Sequence, residues 1–218
     1  MITKEQSALI HFEFISHSSD RFSHLQGIEM ALKGGCKWIQ LRCKDLKNNE
    51  IHKIALKVRK LCTHYKAVFI VNDLPEMALK TQADGVHLGK TDMPLENAVQ
   101  TFGNQLIIGY TCNTFEDILH AQKTGADYAG VGPFKWTKTK QNLSPTIGLA
   151  GYQQMVEQCR QHNIKLPLIA IGGINLSDIE KIMQQGMTGI AVSSLILNAV
   201  NPIFQTQQIV NILNKNKS

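Results

Sequence analysis

Arg42 and Lys44 are two residues apart, interleaved with Leu41 and Cys43, so in an extended segment the two cations share one face. Two cations held together are costly unless an anion sits between them; Arg forks onto phosphate oxygens and Lys supplies a mobile point charge. Salt bridges to Asp45 or Glu50 are the structural alternative. Asp73 and Asp92 are too far apart for a local motif, yet two carboxylates completed by water and phosphate oxygens are the usual surroundings of Mg²⁺. Each also precedes a helical pattern, LPEMALK and MPLENAV, so helix capping is equally open. In GVGPFKWTKTKQNLSP (130–145), Thr137 and Thr139 alternate and Lys140 stands one residue beyond, a hydroxyl and ammonium cluster fit for phosphate. Lys135 and Lys138 in the same stretch read as solvated charges. Gly172 and Gly173 in IAIGGI, with Ser193 and Ser194 in GIAVSS, would let an anion approach backbone amides and hydroxyls closely. His87 has no His or Cys partner at metal-ligand spacing and reads as a core or supporting residue. The five cysteines contain no CxxC pair and read as packing residues.

These residues need elements to bring them together. Eight short runs rich in Val and Ile predict strands: 10–16, 38–42, 68–72, 85–89, 106–111, 128–132, 168–173 and 189–194. Between them the apolar period lengthens to that of a helix, as in Ile51, Ile54, Ala55, Val58, Leu61, Cys62 and Tyr65, and again in Leu149, Tyr152, Met155, Val156 and Cys159. Thr114 with Asp117 predicts a capping box, Gly186 a helix stop, and Asn201–Pro202 a helix start. Continuous apolar strands alternating with helices imply a parallel sheet covered on both faces. A weak repeat, GGCKWIQL, TQADGVHL, TGADYAGV and QGMTGIAV, places the same turn before every second strand. It predicts a cyclic arrangement, a single-domain (β/α)8 TIM barrel over residues 1–218, with its site at the C-terminal strand ends. Those ends carry Gln40, Arg42 and Lys44; Asn72 and Asp73; His87 and then Asp92; Thr111; the 130–145 loop; Gly172 and Gly173; and Ser193 and Ser194.

Composition narrows the class. A chain of 218 residues with 43% hydrophobic residues supports one sizeable core. Neither a signal peptide nor a membrane-length apolar run is apparent, and an odd, scattered set of cysteines suits a reducing cytoplasm. The net charge of +6 is dispersed, and aromatics at 6% are too few for a base-stacking groove, so nucleic acid and membrane are not expected partners. Small anionic ligands are, and a homo-oligomer is left open.

The motifs QLRCK (40–44), VNDLPEMAL (71–79), ADGVHLGKTDMP (83–94), IGYTCNT (108–114), GADYAGVGPFKWTKTK (125–140), AIGGI and GIAVSSLI resemble, in this order and over nearly the whole chain, the thiamine-phosphate synthases. That group is also called thiamine-phosphate pyrophosphorylases and is related to thiazole tautomerases. The resemblance implies a Mg²⁺-dependent transferase. It would condense 4-amino-2-methyl-5-(diphosphooxymethyl)pyrimidine with a thiazole phosphate, giving thiamine phosphate and pyrophosphate; whether the thiazole arrives carboxylated stays open. By position it implies that Gln40, Leu41, Arg42, Cys43, Lys44 and Asn72 bind the pyrimidine diphosphate, that Asp73 and Asp92 hold Mg²⁺, and that Thr111 meets the pyrimidine. Thr137, Thr139, Gly173, Ser193 and Ser194 would contact the thiazole phosphate, and Lys140 the diphosphate. Arg42, Lys44 and Lys140 would be the catalytic cations, and closure of the 134–145 loop would keep water out. The sequence departs from the usual pattern in three places: Cys43 replaces Glu, Thr111 replaces Ser, and Phe134–Trp136 replaces an Ile-Phe-Pro type sequence. A tautomerase of the same fold, or a non-catalytic precursor-binding protein, is the alternative. The first needs no diphosphate site, and the second would be expected to lose the aspartates.

Overall fold

A computed structural model of the protein describes residues 10–136 and 145–215. Eight strands form where the apolar runs place them: β1 Phe12–Ile15, β2 Trp38–Leu41, β3 Val68–Asn72, β4 Gly85–Leu88, β5 Ile107–Cys112, β6 Tyr128–Val131, β7 Leu168–Ile171 and β8 Gly189–Val192. Consecutive strands pair in parallel, and β1 closes on β8 with Phe12, Glu13 and Phe14 opposite Ile190, Ala191 and Val192. The architecture is the expected (β/α)8 barrel.

The helices are α1 His24–Lys33, α2 Asn48–Tyr65, α3 Pro75–Lys80, α4 Leu95–Phe102, α5 Phe115–Thr124, α6 Gly148–Gln161, α7 Ile179–Gln184, α8 Ser194–Leu197 and α9 Pro202–Lys215, with a 3₁₀ turn at Leu176–Asp178. Their ends follow the local chemistry. Thr114 Oγ1 accepts from the Asp117 N–H at 3.3 Å while the Asp117 carboxylate accepts from the Thr114 N–H at 3.0 Å, closing the capping box at the start of α5. Asn201 Oδ1 accepts from the Phe204 N–H at 3.1 Å at the start of α9. Gly35, Gln82, Gly125 and Gly186 all have positive φ, which is the physical content of the repeat seen before β2, β4, β6 and β8. Lys66 and Asn163 do the same before β3 and β7, so the device is more widely used than a strict alternation.

Period-two alternation divides the strands between two cores. Outward residues such as Ile39, Leu41, Phe69, Val71, Val86 and Leu88 pack under the helices. Inward residues Trp38, Val68, Ile70, Ile107, Tyr128, Ile169 and Ala191 fill the lumen. Trp38 meets Tyr128 edge-on with ring centroids 5.7 Å apart, and together they plug the floor. Tyr128 fits because Gly109 faces it: a Cβ there would stand 2.2 Å from the ring. One polar group shares this floor. Glu13 is 2% exposed, and burial pushes its carboxyl up to about 8, opposed by the nearby Trp38 indole. Among the described residues neither Glu13 Oε1 nor Trp38 Nε1 has a hydrogen-bond partner.

Candidate active site

Followed upward from this floor, the same inward-facing columns turn polar. On β2 the sequence Trp38, Gln40, Arg42 runs from plug to mouth; β5 carries Ile107, Gly109, Thr111, and β8 carries Gly189, Ala191, Ser193. A cavity of about 380 Å³ opens there, with His87 and Thr111 on one wall, Gly172, Gly173 and Ser193 on the other, and Arg42 at the rim. Arg42 also faces an adjoining cleft with Lys44, so the two cations expected to share a face do so. That side of the mouth carries charge of both signs, Arg42 and Lys44 beside Asp45 and Asp73, above an apolar floor.

Lys44 Nζ lies 3.1 Å from Asp73 Oδ2. It is thus paired with the adjacent strand end rather than with Asp45 or Glu50; Glu50 instead accepts from the Lys47 N–H at 3.1 Å. Asp73 has φ of 66° and sits just past β3. Burial and the neighbouring Asp92 carboxylate push its carboxyl up to about 6, against the pull of Lys44. Neither aspartate caps a helix: the residue before α3 is Leu74 and that before α4 is Pro94, both without side-chain caps. Asp92 Oδ2 instead accepts from the Gly89 N–H at 2.7 Å, which orients its carboxylate at the end of β4. Two crowded carboxylates beside two cations, with room for water and an anionic ligand, fit the donor set of Mg²⁺. Among the described residues no cluster of three or more His, Cys, Asp or Glu side chains would favour a metal taking a full protein cage.

Gln40 is buried below Arg42 and donates to Asn72 Oδ1 at 2.7 Å, which joins two of the expected substrate residues across β2 and β3. Its Oε1 has no partner among the described residues. Leu41 and Cys43 turn outward. Leu41 belongs to the core under the helices, Cys43 packs against it, and burial pushes the Cys43 thiol up to about 12. Their side chains are therefore withdrawn from the mouth, and only their backbone can serve a ligand there. That also explains why Cys in place of Glu leaves the Arg42 and Lys44 face intact. All five cysteines are free thiols, as expected of packing residues.

On the opposite wall, Gly172 and Gly173 have φ of 97° and 67°. A Cβ on Gly173 would stand 2.9 Å from Lys135 Cβ and from the Lys135 and Trp136 carbonyl oxygens, so only glycine lets the loop after β6 lie this close. Ser193 donates its hydroxyl proton to the Ile15 carbonyl, and its oxygen lies 2.7 Å from His17 Nδ1. Ser194 opens α8 beside it. Lys135 is not the solvated charge its surroundings in the sequence suggest: its Nζ donates to both oxygens of Asp178, at 2.7 and 2.8 Å. Asp178 also accepts from the Asn175 N–H at 3.0 Å, so this pair ties the loop after β6 to the loop after β7. Thr137, Lys138, Thr139 and Lys140 lie outside the described residues.

The strand-end rule, had it included β1, would also have found His17. That residue lines both openings, and burial followed by the nearby Arg42 lowers its pKa. Asn113, just past β5, also lines the cavity; it lies within the IGYTCNT stretch, where only Thr111 was given a role.

The family model described as "Thiamine monophosphate synthase" matches residues 12–196. A thiamine-phosphate synthase of Bacteroides thetaiotaomicron is 46% identical over 204 residues, covering 94% of this chain and 98% of its own. One from Phocaeicola vulgatus is 47% identical, covering 93% and 98%. The solved structure of a thiamine phosphate pyrophosphorylase from Pyrococcus furiosus superposes with a TM-score of 0.87 at 32% identity, covering 97% of this chain and 99% of that one.

Proposed function

The chain belongs to the thiamine monophosphate synthase family, a transferase that forms thiamine phosphate, and from that premise we propose which of its residues do the work. Arg42 and Lys44 bind the diphosphate of the pyrimidine substrate, with Lys140 as a third cation. Asn72, held by Gln40, and Thr111 receive the pyrimidine. Gly173, Ser193, Ser194, Thr137 and Thr139 receive the thiazole phosphate. Asp73 and Asp92 would hold Mg²⁺, which when bound supplies positive charge to diphosphate oxygens.

The bond that breaks joins the exocyclic CH₂ of the pyrimidine to the diphosphate oxygen. Its electron pair leaves with the diphosphate, the aminopyrimidine ring carries the resulting positive charge, and the thiazole nitrogen then supplies the pair for the new C–N bond. Cations placed at the leaving group favour this step most as charge accumulates on it. Apolar surface beneath the reacting carbon keeps water from capturing the cation.

The observation that carries this reading is the convergence of Arg42, the Lys44–Asp73 pair and Asp92 at adjoining strand ends, with Arg42 facing both the cavity and the cleft that Lys44 lines. A thiazole tautomerase handles no diphosphate and has no use for that cluster. Pyrophosphate release from the purified protein tests it: release is expected only with both substrates and Mg²⁺ present. Turnover undiminished by chelation, or by Arg42→Ala, would overturn these assignments.

A further inference from the structure

His87 is unassigned in this scheme, yet it is one of the most tightly specified side chains of the lumen. It is 7% exposed and sits between two hydroxyls: Tyr128 Oη lies 3.1 Å from Nδ1, and Thr111 Oγ1 lies 3.1 Å from Nε2. Gly130 closes on the ring, where a Cβ would come within 3.0 Å of Cε1, and Tyr128 is fixed in turn against Trp38. The result is a column from the plugged floor to the cavity wall, ending at Thr111. A neutral imidazole carries one proton, so the two bonds cannot both run the same way. With the proton on Nε2, His87 donates to Thr111, whose own hydroxyl proton is then free to point into the cavity. With the proton on Nδ1, Thr111 donates to His87, and its lone pairs face the cavity.

The chemistry distinguishes these two states. Departure of the diphosphate needs electron density from the amino group of the pyrimidine. A hydroxyl accepting from that N–H leaves the nitrogen pair more available, whereas one donating to a ring nitrogen withdraws density. Resting on the reading that Thr111 meets the pyrimidine, we propose that His87 is a positioning residue, held by Tyr128 in the Nδ1–H tautomer. In that state Thr111 presents an acceptor to the exocyclic amino group. The effect is electronic, so it falls on the bond-breaking step more than on binding.

Five variants test it, with kcat and KM for the pyrimidine diphosphate measured by pyrophosphate release. His87→Leu is expected to lower kcat by about 30- to 100-fold with KM within about threefold. His87→Gln, whose amide oxygen accepts from Thr111, should recover kcat to within about fivefold of the parent. Tyr128→Phe, which removes one oxygen and keeps the packing should His87→Leu fail to fold, should cost about three- to tenfold in kcat. In a Thr111→Val background the Tyr128→Phe cost should vanish, because the column then has nothing to orient. Nitrogen NMR of His87 with the pyrimidine diphosphate bound should show the proton on Nδ1. The inference is overturned by an Nε2–H tautomer in that complex, by a Tyr128→Phe cost that persists in Thr111→Val, or by losses confined to KM. Failure of the parent protein to release pyrophosphate with both substrates would instead remove the underlying reading, and this inference with it.

Discussion

Replacing Glu13 by Gln should change how the stability of this barrel depends on pH. In the fold the carboxyl is pushed from an ordinary 4.5 to about 8 by burial, while in the unfolded chain it regains its ordinary value. Between those values the folded state holds a proton that the unfolded state has released. By linkage, stability must then fall as pH rises through this window, at about 1.4 kcal/mol per unit, and level off above about pH 8. The cost is below about 1 kcal/mol at pH 5 and reaches about 3 kcal/mol at pH 7. Gln keeps the shape and removes the titration. Its extra N–H groups add a fixed, pH-independent offset, so the informative quantity is the difference in slope rather than stability at any one pH. Urea unfolding of both proteins at pH 5, 6, 7 and 8, followed by fluorescence, gives that difference directly. Relative to the parent, Glu13→Gln should gain roughly 2 to 3 kcal/mol between pH 5 and pH 7. Parallel pH profiles would refute the reasoning, since they would mean that Glu13 either ionises normally in the fold or stays protonated in the unfolded chain.

Other consequences are simpler to check. Among the described residues Lys135→Met leaves the Asp178 carboxylate with its backbone partner alone, and it loosens the loop after β6 from the loop after β7. It should cost about 1 kcal/mol of stability and raise KM for the thiazole phosphate about five- to tenfold, with little change for the pyrimidine substrate, in paired saturation curves. Asp92→Asn should raise the Mg²⁺ concentration needed for half-maximal rate by at least about tenfold, measured by titrating the chelated enzyme. Lys140→Ala should lower turnover by about 10²- to 10³-fold, comparable to losing one oxyanion donor, and a near-normal rate would remove it from the mechanism.

The barrel was legible because its strands are short, apolar and separated by helices with clear end signals, and because Arg42 and Lys44 obey strand alternation. The strand-end rule then placed Asp73, Thr111 and Ser193 without knowledge of their contacts. What sequence could not supply was contact between distant segments. Lys135 finds Asp178 forty-three residues further on, across the gap between β6 and β7, and no local pattern announces that pair. Asp73 and Asp92 looked equally suited to capping, and only the backbone at Leu74 and Pro94 excludes it. His87 lacked a partner at any motif spacing because its partners, Tyr128 and Thr111, come from two other strands. Glu13, in a strand of apolar character, gave no sign that it faces the lumen.

The Trp38–Tyr128 plug has a kinetic consequence. Among the described residues Trp38 and Tyr128 fill the lumen below the cavity, so on the assignments proposed above ligands enter and leave at the strand-end mouth beside Arg42. The two substrates cannot arrive from opposite ends, so whichever seats deeper must arrive first. On the same assignments pyrophosphate and thiamine phosphate leave in turn past Arg42 and Lys44, where an accumulating anion would obstruct the next arrival.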